Sequence, residues 1–409
     1  MEARQAMRPG GPDDAVDGVV PAQVCEPADA RELAEALASA SRDRTSTVIR
    51  GGGTKLGWGR VPAAVGLVIS TARLNTPLVH RDGDLTATVG AGVSLAALNE
   101  RLSLKGQWLP VDSAFARATI GGIVATNDAG PLRQRYGTPR DLLIGITLAL
   151  TDGRIVKAGG TVVKNVAGYD LGRFVSGSFG SLAAIVDATF KLLPIPRASA
   201  TLVCRYARTD LLATDVSAIT SSQLEPMACD VRMTRAGDAT LLLRFASSPS
   251  ATEAQAASAR TLLHAEVDAC GGDAEATCWA EHVRAPWLGD TQSQGAAVIR
   301  LSWLPANLRG VLALVTDVAQ VSEGAEFTGR CGVATGLLAV FGTSAQQAAV
   351  VRRLRSQTDT VGHVVVLRAD RAVKADVDVW GEIGAASSLA AIKRSLDPAN
   401  ILNAGRGPV

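Results

Sequence analysis

The sequence lacks the cysteine and histidine spacings by which metal and cluster sites are recognised. Its six cysteines are scattered without a C-x-x-C pair, which excludes an iron–sulfur cluster of that type held by this chain alone and argues against a disulfide framework. Its four histidines include no H-x-H or H-E-x-x-H pair, so no metal site is predicted.

Long apolar runs and blocks of one charge are also missing. No stretch reaches the roughly 18 apolar residues of a membrane-spanning helix, and charged residues occupy the amino terminus where a signal peptide would be apolar. The 41 basic and 39 acidic residues are mixed along the chain and leave a formal net charge of +2, which argues against binding to nucleic acid or to an anionic membrane. We therefore expect a cytoplasmic protein.

The sequence is long and rich in glycine. At 409 residues it exceeds what one hydrophobic core usually supports, so we expect two domains, or one large domain with a cap, and room for a buried cofactor. The first residues are rich in Gly, Pro and Asp, and we expect residues 1–17 to be disordered. Residues 18–195 combine an amphipathic helix over 27–40 with several strand-like runs, which predicts an α+β domain.

The pattern changes after Pro194. Between residues 199 and 267, and again between 296 and 368, strands and helices recur in one order, which predicts two β-α-β-β-α-β units. We expect residues 196–395 to form a ferredoxin-like cap domain with an antiparallel sheet, followed by a tail at 396–409. The predicted helices cover residues 209–221, 251–267, 305–321 and 344–357, with a loop or short helices at 271–294.

Residues 50–59, R-G-G-G-T-K-L-G-W-G, are a candidate phosphate-binding loop. Successive glycines let several backbone N–H groups approach one anion, because no Cβ is in the way and positive φ costs little. Lys55 is followed by Leu56 rather than by Ser or Thr, so the loop is not a Walker P-loop. An ordinary glycine-rich turn stays open as the alternative.

A second glycine motif, at residues 86–102, resembles the start of a nicotinamide-binding fingerprint. It has Leu95 where that fingerprint needs Gly or Ala, and no acidic residue follows about 20 residues later to bind a ribose. We interpret the motif as a structural turn before a helix whose N-cap is Ser94.

Four further segments carry glycine and small polar residues in high density. Such segments let a flat ligand lie against backbone, although tight helix packing also explains Gly121. The segments are T-I-G-G-I-V-A-T-N (119–127), K-N-V-A-G-Y-D-L (164–171), G-S-F-G-S-L (177–182) and L-D-P-A-N-I-L-N-A-G-R (396–406).

Taken in this order, R-G-G-G-T-K and the four segments resemble flavoproteins of the vanillyl-alcohol oxidase type, whose FAD domain is called PCMH-type. Each motif alone is weak, but the ordered set is specific. The resemblance covers residues 18–195 and 396–406. Within the family it is strongest to the glycolate oxidase branch, whose members are FAD-binding subunits of bacterial glycolate oxidase complexes.

The resemblance implies an FAD held between two α+β subdomains, with the flavin ring facing the cap. It implies that the glycine loop cradles the pyrophosphate, and that the later segments line the diphosphate, the flavin and the adenine. It assigns no catalytic residue. The cofactor-binding residues it implies are Gly51, Gly52, Gly53, Thr54, Lys55, Gly121, Gly122, Thr126, Asn127, Gly177, Ser178, Gly180, Ile185 and Val186.

Two departures from the family pattern refine this expectation. Relatives that attach FAD covalently carry a histidine directly after the glycine triplet, whereas this chain has Thr54, so we expect non-covalent FAD. Relatives that oxidise D-2-hydroxy acids on their own carry a metal motif like H-P-x-G-D-G-N-x-H, and nothing in residues 197–395 resembles it. We therefore expect a second flavoprotein subunit and an iron–sulfur subunit as partners in oxidising a small 2-hydroxy acid such as glycolate. Those partners would hold the chain at the periphery of the inner membrane.

Two other functions stay open. A self-sufficient FAD-linked alcohol or 2-hydroxy acid dehydrogenase would need its own substrate contacts. Arg232, Arg300 and Arg330 on predicted cap strands would suit a carboxylate, and Lys164 or Tyr169 would lie near the flavin ring. A solvated strand face and a loop-shaping role explain the same residues. The third possibility is a non-catalytic subunit that binds FAD only for folding or assembly.

Overall fold

A computed structural model describes residues 7–161, 170–290 and 295–408. The chain divides into two compact units. The first unit contains the chain up to Ala129, Tyr136–Ile195 and the chain from Glu382 onward. The second unit contains Gly130–Arg135 and Pro196–Gly381.

The described chain up to Ile195 forms three sheets and six α-helices. Its strands are β1 (Met7–Pro9), β2 (Gln23–Cys25), β3 (Thr47–Arg50), β4 (Leu67–Ser70), β5 (Leu78–Arg81), β6 (Thr86–Gly90), β7 (Gln107–Trp108), β8 (Leu143–Ala149), β9 (Ile155–Gly159), β10 (Ala184–Lys191) and β11 (Leu193–Pro194). Its helices are α1 (Ala30–Arg42), α2 (Leu95–Ser103), α3 (Ile120–Thr126), α4 (Arg133–Tyr136), α5 (Pro139–Leu142) and α6 (Leu171–Val175).

Two hydrophobic clusters lie against the two larger sheets of the first unit. One sheet has the order β1-β2-β4-β3, and α1 packs Leu33 and Leu37 against its Ile69. The other has the order β5-β6-β10-β8-β9, is antiparallel throughout, and buries Phe190 together with Leu98 of α2. The third sheet pairs only β7 with β11. This arrangement agrees with the expected α+β subdomains.

Local signals explain where the first helices begin. The Asp29 side chain accepts the N–H of Glu32, so α1 starts at Ala30, and its apolar residues recur at helical spacing on the buried side. Ser94 Oγ accepts the N–H of Ala97 at 3.2 Å, which confirms Ser94 as the N-cap of α2. The glycine motif before that helix is therefore a structural turn, as its sequence predicts.

A charged network anchors residues 7–17, the described part of the segment that the sequence predicts to be disordered. Within it, β1 pairs antiparallel with β2. The Asp14 carboxylate is buried, and it accepts hydrogen bonds from Arg8 at 2.6 and 2.8 Å and from Arg50 at 2.8 Å. These guanidinium groups hold the pKa of Asp14 far below its usual range. Composition does not reveal this pairing, because Arg50 lies 36 residues away.

The second unit is built on one antiparallel sheet of eight strands, in the order β15-β12-β14-β13-β17-β18-β16-β19. Its strands are β12 (Ala198–Tyr206), β13 (Ala228–Met233), β14 (Ala239–Ser247), β15 (Glu266–Cys270), β16 (Ala297–Ser302), β17 (Ala325–Arg330), β18 (Thr335–Val340) and β19 (His363–Arg368). Its helices are α7 (Thr209–Ser221), α8 (Pro249–Arg260), α9 (Gly272–Arg284), α10 (Leu308–Val321), α11 (Ser344–Ser356) and α12 (Arg371–Asp376).

The eight strands are two β-α-β-β-α-β units joined edge to edge through β13 and β17. A single apolar core continues through both halves, with Leu212 of α7, Val315 of α10 and Leu354 of α11 among its members. The α+β class and the antiparallel, ferredoxin-like cap are thus confirmed.

Two predictions for this unit were wrong in detail. The helix predicted over 251–267 ends at Arg260, and β15 takes over at Glu266 as the last strand of the first repeat. The segment 271–294, predicted as a loop or short helices, contains the regular helix α9. The side chains that α9 buries are Glu275, Trp279 and His282, a spacing of i, i+4 and i+7 whose polar members conceal the amphipathic pattern.

The last part of the chain returns to the first unit. Helix α13 (Ala386–Leu396) precedes a tail whose Ile401 carbonyl accepts the N–H of Thr47 at 2.8 Å. Leu402 then bridges to Thr47 in a parallel arrangement, beside the strand that leads into the glycine loop. The described chain also has 3₁₀ turns at Pro12–Asp14, Asp82–Asp84, Ala285–Asp290, Pro305–Asn307 and Cys331–Val333.

Candidate cofactor site

A cavity in the first unit brings the separate glycine segments together. It encloses about 740 Å³ of non-protein space, part of which is open to solvent. Its walls are largely apolar and aromatic, and include Ile49, Trp58 and Phe179. Of the fourteen residues singled out from the sequence, those lining it are Gly51, Lys55, Gly121, Gly122, Thr126, Gly180 and Ile185. The others do not line it but lie within two residues of a lining residue in the chain: Gly52, Gly53, Thr54, Asn127, Gly177, Ser178 and Val186.

The glycine loop follows β3 and packs tightly on the segment before α3. A Cβ on Gly51 would lie 2.2 Å from Thr119 Oγ1, and a Cβ on Gly52 would lie 1.8 Å from the Arg117 carbonyl oxygen. Both distances are far below van der Waals contact, so these positions need glycine for close packing. Gly53 is the member of the triplet with positive φ, at 72°. The loop is thus fixed by contacts within the protein.

Lys55 lines the cavity but already has a carboxylate partner. Its Nζ lies 2.9 Å from Asp128 Oδ2, which also accepts a hydrogen bond from Ser113 Oγ at 2.7 Å. The ammonium lies 5.7 Å from the ring centre of Trp58 and 5.1 Å from that of Phe115, and the side chain is only 7% exposed. Since Asp128 offsets its charge, Lys55 is a weaker phosphate ligand than the sequence alone implies.

Helix α3 forms another wall of the cavity. A Cβ on Gly121 would lie 2.9 Å from Ala91 Cβ, so the alternative of tight helix packing accounts for this glycine. Thr126 Oγ1 donates to the Gly122 carbonyl at 2.8 Å, which keeps the hydroxyl along the helix. Asn127 ends the helix in the left-handed region, with φ of 47°, and its Oδ1 accepts the N–H of Arg140.

The turn at residues 177–180 is attached to the end of α3. Gly177 N–H donates to Val124 O at 3.1 Å, and Phe179 N–H donates to Ala125 O at 2.8 Å. Gly177 and Gly180 both have positive φ, which their residue type permits. These bonds place Phe179 and Gly180 in the cavity wall.

Three residues of the carboxyl-terminal tail, Asn403, Arg406 and Gly407, also line the cavity. The sequence motif at 396–406 marks this segment but does not say which of its side chains reach the site. Arg406 is buried, and burial lowers the pKa of its guanidinium to about 10, so it stays charged at neutral pH. It is the second cationic side chain in the lining, after Lys55.

The three arginines proposed from the cap sequence lie on adjacent parts of one sheet. Arg232 of β13 pairs with Thr328 of β17, and Arg300 of β16 pairs with Leu337 of β18. Thr328 and Leu337 pair with each other, so both arginines belong to one cross-strand row and share a face. Arg330 lies two residues after Thr328 on the same strand and is therefore on that face too. Lys164 and Tyr169 lie outside the described residues.

The described residues contain no group of three or more His, Cys, Asp or Glu side chains that could hold a metal ion. His282 is buried, and its Nε2 lies 2.8 Å from Asp230 Oδ2, so it has a carboxylate partner within the second unit. In the part of the chain that the structure describes, no helix is long and apolar enough to cross a membrane.

Residues 21–159 match a family described as FAD binding domain. More than half of the residues that line the cavity lie within the matched range, including those of the glycine loop and of α3. The chain therefore carries an FAD-binding domain of the PCMH type, as its ordered motifs predict.

Curated relatives include two glycolate oxidase subunits and a D-lactate dehydrogenase. The chain is 36% identical to glycolate oxidase subunit GlcD of Bacillus subtilis over 208 residues, which cover 51% of this chain and 44% of the relative. It is 35% identical to subunit GlcE of Escherichia coli over 198 residues, covering 48% and 55%. For D-lactate dehydrogenase of Archaeoglobus fulgidus the identity is 33% over 247 residues, covering 56% and 55%. The matches span about half the length of these relatives.

Solved structures resemble the chain over nearly its whole length. An alkyldihydroxyacetonephosphate synthase superposes with a TM-score of 0.71 at 16% identity, covering 95% of this chain and 76% of the other. A variant of Phl p 4, a glucose dehydrogenase, gives 0.70 at 15% identity and covers 95% and 90%. At such low identities these likenesses establish the fold alone.

The lining of the cavity is chemically suited to FAD. Ile49, Trp58 and Phe179 offer apolar and aromatic surface for a flat ring system, and Gly51 brings the backbone of the glycine loop to the cavity. Arg406 adds a charge of the sign that a pyrophosphate needs. The residues present therefore fit the cofactor that the family binds.

Proposed function

We propose that this chain is an FAD-dependent oxidoreductase acting on CH–OH groups, and that it serves as the FAD-binding subunit of a complex that oxidises glycolate or a similar small 2-hydroxy acid. The observation that carries the proposal is the cavity in which the glycine loop, an aromatic wall and Arg406 meet. The relatives named as glycolate oxidase subunits and D-lactate dehydrogenase support the substrate class.

When bound, FAD supplies the redox chemistry by accepting two electrons from the substrate. The chain's own residues bind and orient it. In this proposal the glycine loop, Gly51 to Lys55, holds the pyrophosphate mainly through backbone N–H groups, because Lys55 is paired with Asp128. Thr126, Gly180 and Ile185 line the rest of the cavity. Gly177, Ser178, Asn127 and Val186 act by fixing the segments that carry these residues.

In this proposal the two parts of the chain have different roles. We assign residues 18–195 and the tail 396–409 to the FAD domain, and residues 196–395 to a cap that supplies substrate contacts. Arg330 is the strongest candidate for a substrate carboxylate, since it is buried on the sheet face it shares with Arg232 and Arg300, where a planar guanidinium gives bidentate recognition.

The partners in this proposal are a second flavoprotein subunit and an iron–sulfur subunit, to which electrons pass. The metal motif of self-sufficient D-2-hydroxy acid enzymes has no counterpart in residues 197–395, which supports a need for partners. We place the complex in the cytoplasm, attached peripherally to the inner membrane through the partner subunits.

The purified chain, loaded with FAD, is expected to turn over glycolate and D-lactate very slowly with a dye acceptor, and to gain activity when the partner subunits are added. Full activity of the isolated chain would instead support a self-sufficient dehydrogenase. An anaerobic screen for substrates that bleach the flavin tests the third possibility, a non-catalytic subunit. Flavin that neither substrates nor partners reduce would indicate a structural subunit.

We expect FAD to be bound without a covalent link, because Thr54 occupies the position at which covalent relatives carry histidine. Acid precipitation of the holoprotein should leave the flavin in the supernatant, where its absorbance measures the released fraction. Flavin that stays with the precipitated protein would contradict this expectation.

A further inference from the structure

The carboxyl-terminal tail connects three walls of the cavity that are far apart in sequence. Asn403 N–H donates to the Thr47 carbonyl of β3 at 2.8 Å, next to the start of the glycine loop. The Asn403 side-chain amide donates to the Phe179 carbonyl, in the turn that forms another wall. The Arg60 side chain and N–H donate to the carbonyls of Gly407 and Arg406, at the end of the tail.

Arg406 makes the densest set of these connections. One arm of its guanidinium, Nη1, donates to Asn403 Oδ1 at 2.8 Å. The other, Nη2, donates to the backbone carbonyls of Trp58, at 2.8 Å, and of Leu56. Leu56 and Trp58 are themselves lining residues and belong to the same loop as the glycine triplet. The fork of one side chain therefore links the tail to the second half of the glycine loop.

We propose that Arg406 is a positioning residue of the cofactor site, which fixes the Leu56–Trp58 wall against the tail so that the cavity retains FAD. The inference rests on the proposed binding of FAD in this cavity. A planar guanidinium is needed, because it directs several N–H groups at fixed angles to three acceptors. Lysine keeps the charge but concentrates its donors on one atom, so it leaves at least one acceptor without its partner.

The test compares Arg406→Lys with Arg394→Lys in the full-length protein. Arg394 lies on α13 in the same returning segment but is exposed. The rate of FAD release is followed by the rise in flavin fluorescence after dilution, and FAD affinity by titration of the apoprotein. We expect release to be at least about tenfold faster in Arg406→Lys, the factor that corresponds to losing one hydrogen bond to a charged group, and unchanged in Arg394→Lys.

A second variant, Asn403→Gly, keeps the inference testable if Arg406→Lys does not fold. Asn403 has a φ of 47°, so Asn403→Gly keeps the backbone conformation while removing the acceptor of Arg406 and the link to Phe179. It should also release FAD faster. FAD release at the wild-type rate in both variants, even with lower melting temperatures, would overturn the inference, because Arg406 would then be merely structural. If the wild-type chain itself does not retain FAD, the proposed function fails, and the inference with it.

Discussion

Replacing Gly52 with Val is expected to leave less than about a tenth of the normal FAD content in the purified protein. A Cβ at this position would lie 1.8 Å from the carbonyl oxygen of Arg117, and valine adds two methyl groups beyond it. The neighbour is backbone and cannot rotate away, so the loop has to move off the segment that leads into α3. That movement separates Gly51 from Thr119 and opens the cavity wall. Flavin absorbance relative to protein after desalting measures the loss.

Gly57→Ala in the same loop is the matched control. A Cβ there would meet only Asp17 Oδ1, at 3.7 Å, which is ordinary contact. We expect this variant to keep its FAD, which would show that the loop tolerates a methyl group where space exists. Normal flavin content in Gly52→Val, with unchanged circular dichroism, would mean that the loop does not depend on this contact. The expected defect does not arise from backbone strain, since positive φ falls on Gly53 rather than on Gly52.

The sequence predicts the helices and strands of the cap where apolar residues recur without interruption. Helix α7 begins and ends at the predicted residues, 209 and 221, and β19 covers the predicted run of β-branched residues. Helix α9 was not predicted, because its buried face carries Glu275 and His282. These residue types usually face solvent, and they are buried here because each has a polar partner on the sheet. Those partners are Thr201 of β12 and Asp230 of β13, far from α9 in the chain.

In the cofactor site, too, some residues could be predicted from the sequence and others depend on tertiary contacts. Glycines such as Gly51 and Gly121 are visible in the sequence because close approach leaves no other residue type possible, and both line the cavity. Arg406 has no comparable local signal. Its acceptors Leu56 and Trp58 precede it by 350 and 348 residues, so only the fold brings them together. The role of Lys55 also depends on a tertiary contact, the carboxylate of Asp128.

A second large effect is expected at the base of the tail, where Asp397→Ala should lower the free energy of unfolding by about 3–5 kcal/mol. Asp397 is 1% exposed and Lys393 is 8% exposed, and the two form an ion pair one helical turn apart. Asp397 also accepts the N–H groups of Ile401 and Leu402. The substitution leaves a buried ammonium with only the carbonyls of Ser181 and Leu402, and removes the acceptor of two backbone donors.

The pH dependence of the Asp397→Ala variant distinguishes loss of the ion pair from loss of packing. Burial already lowers the pKa of Lys393 from 10.5, and without the carboxylate we expect it to fall further. Between the lowered pKa and 10.5 the unfolded chain binds more protons than the folded one, so stability relative to the wild type rises with pH in that window. Urea titrations at neutral pH and near pH 10 measure the change.

Two further variants serve as controls for the Asp397→Ala prediction. Lys393→Met combined with Asp397→Asn, which removes both charges but keeps an acceptor, should recover most of the lost free energy of unfolding. Asp82→Ala, at an exposed pair with Lys105, should change little. A deficit that is the same at both pH values would contradict the electrostatic explanation and leave the backbone donors of Ile401 and Leu402 as its cause.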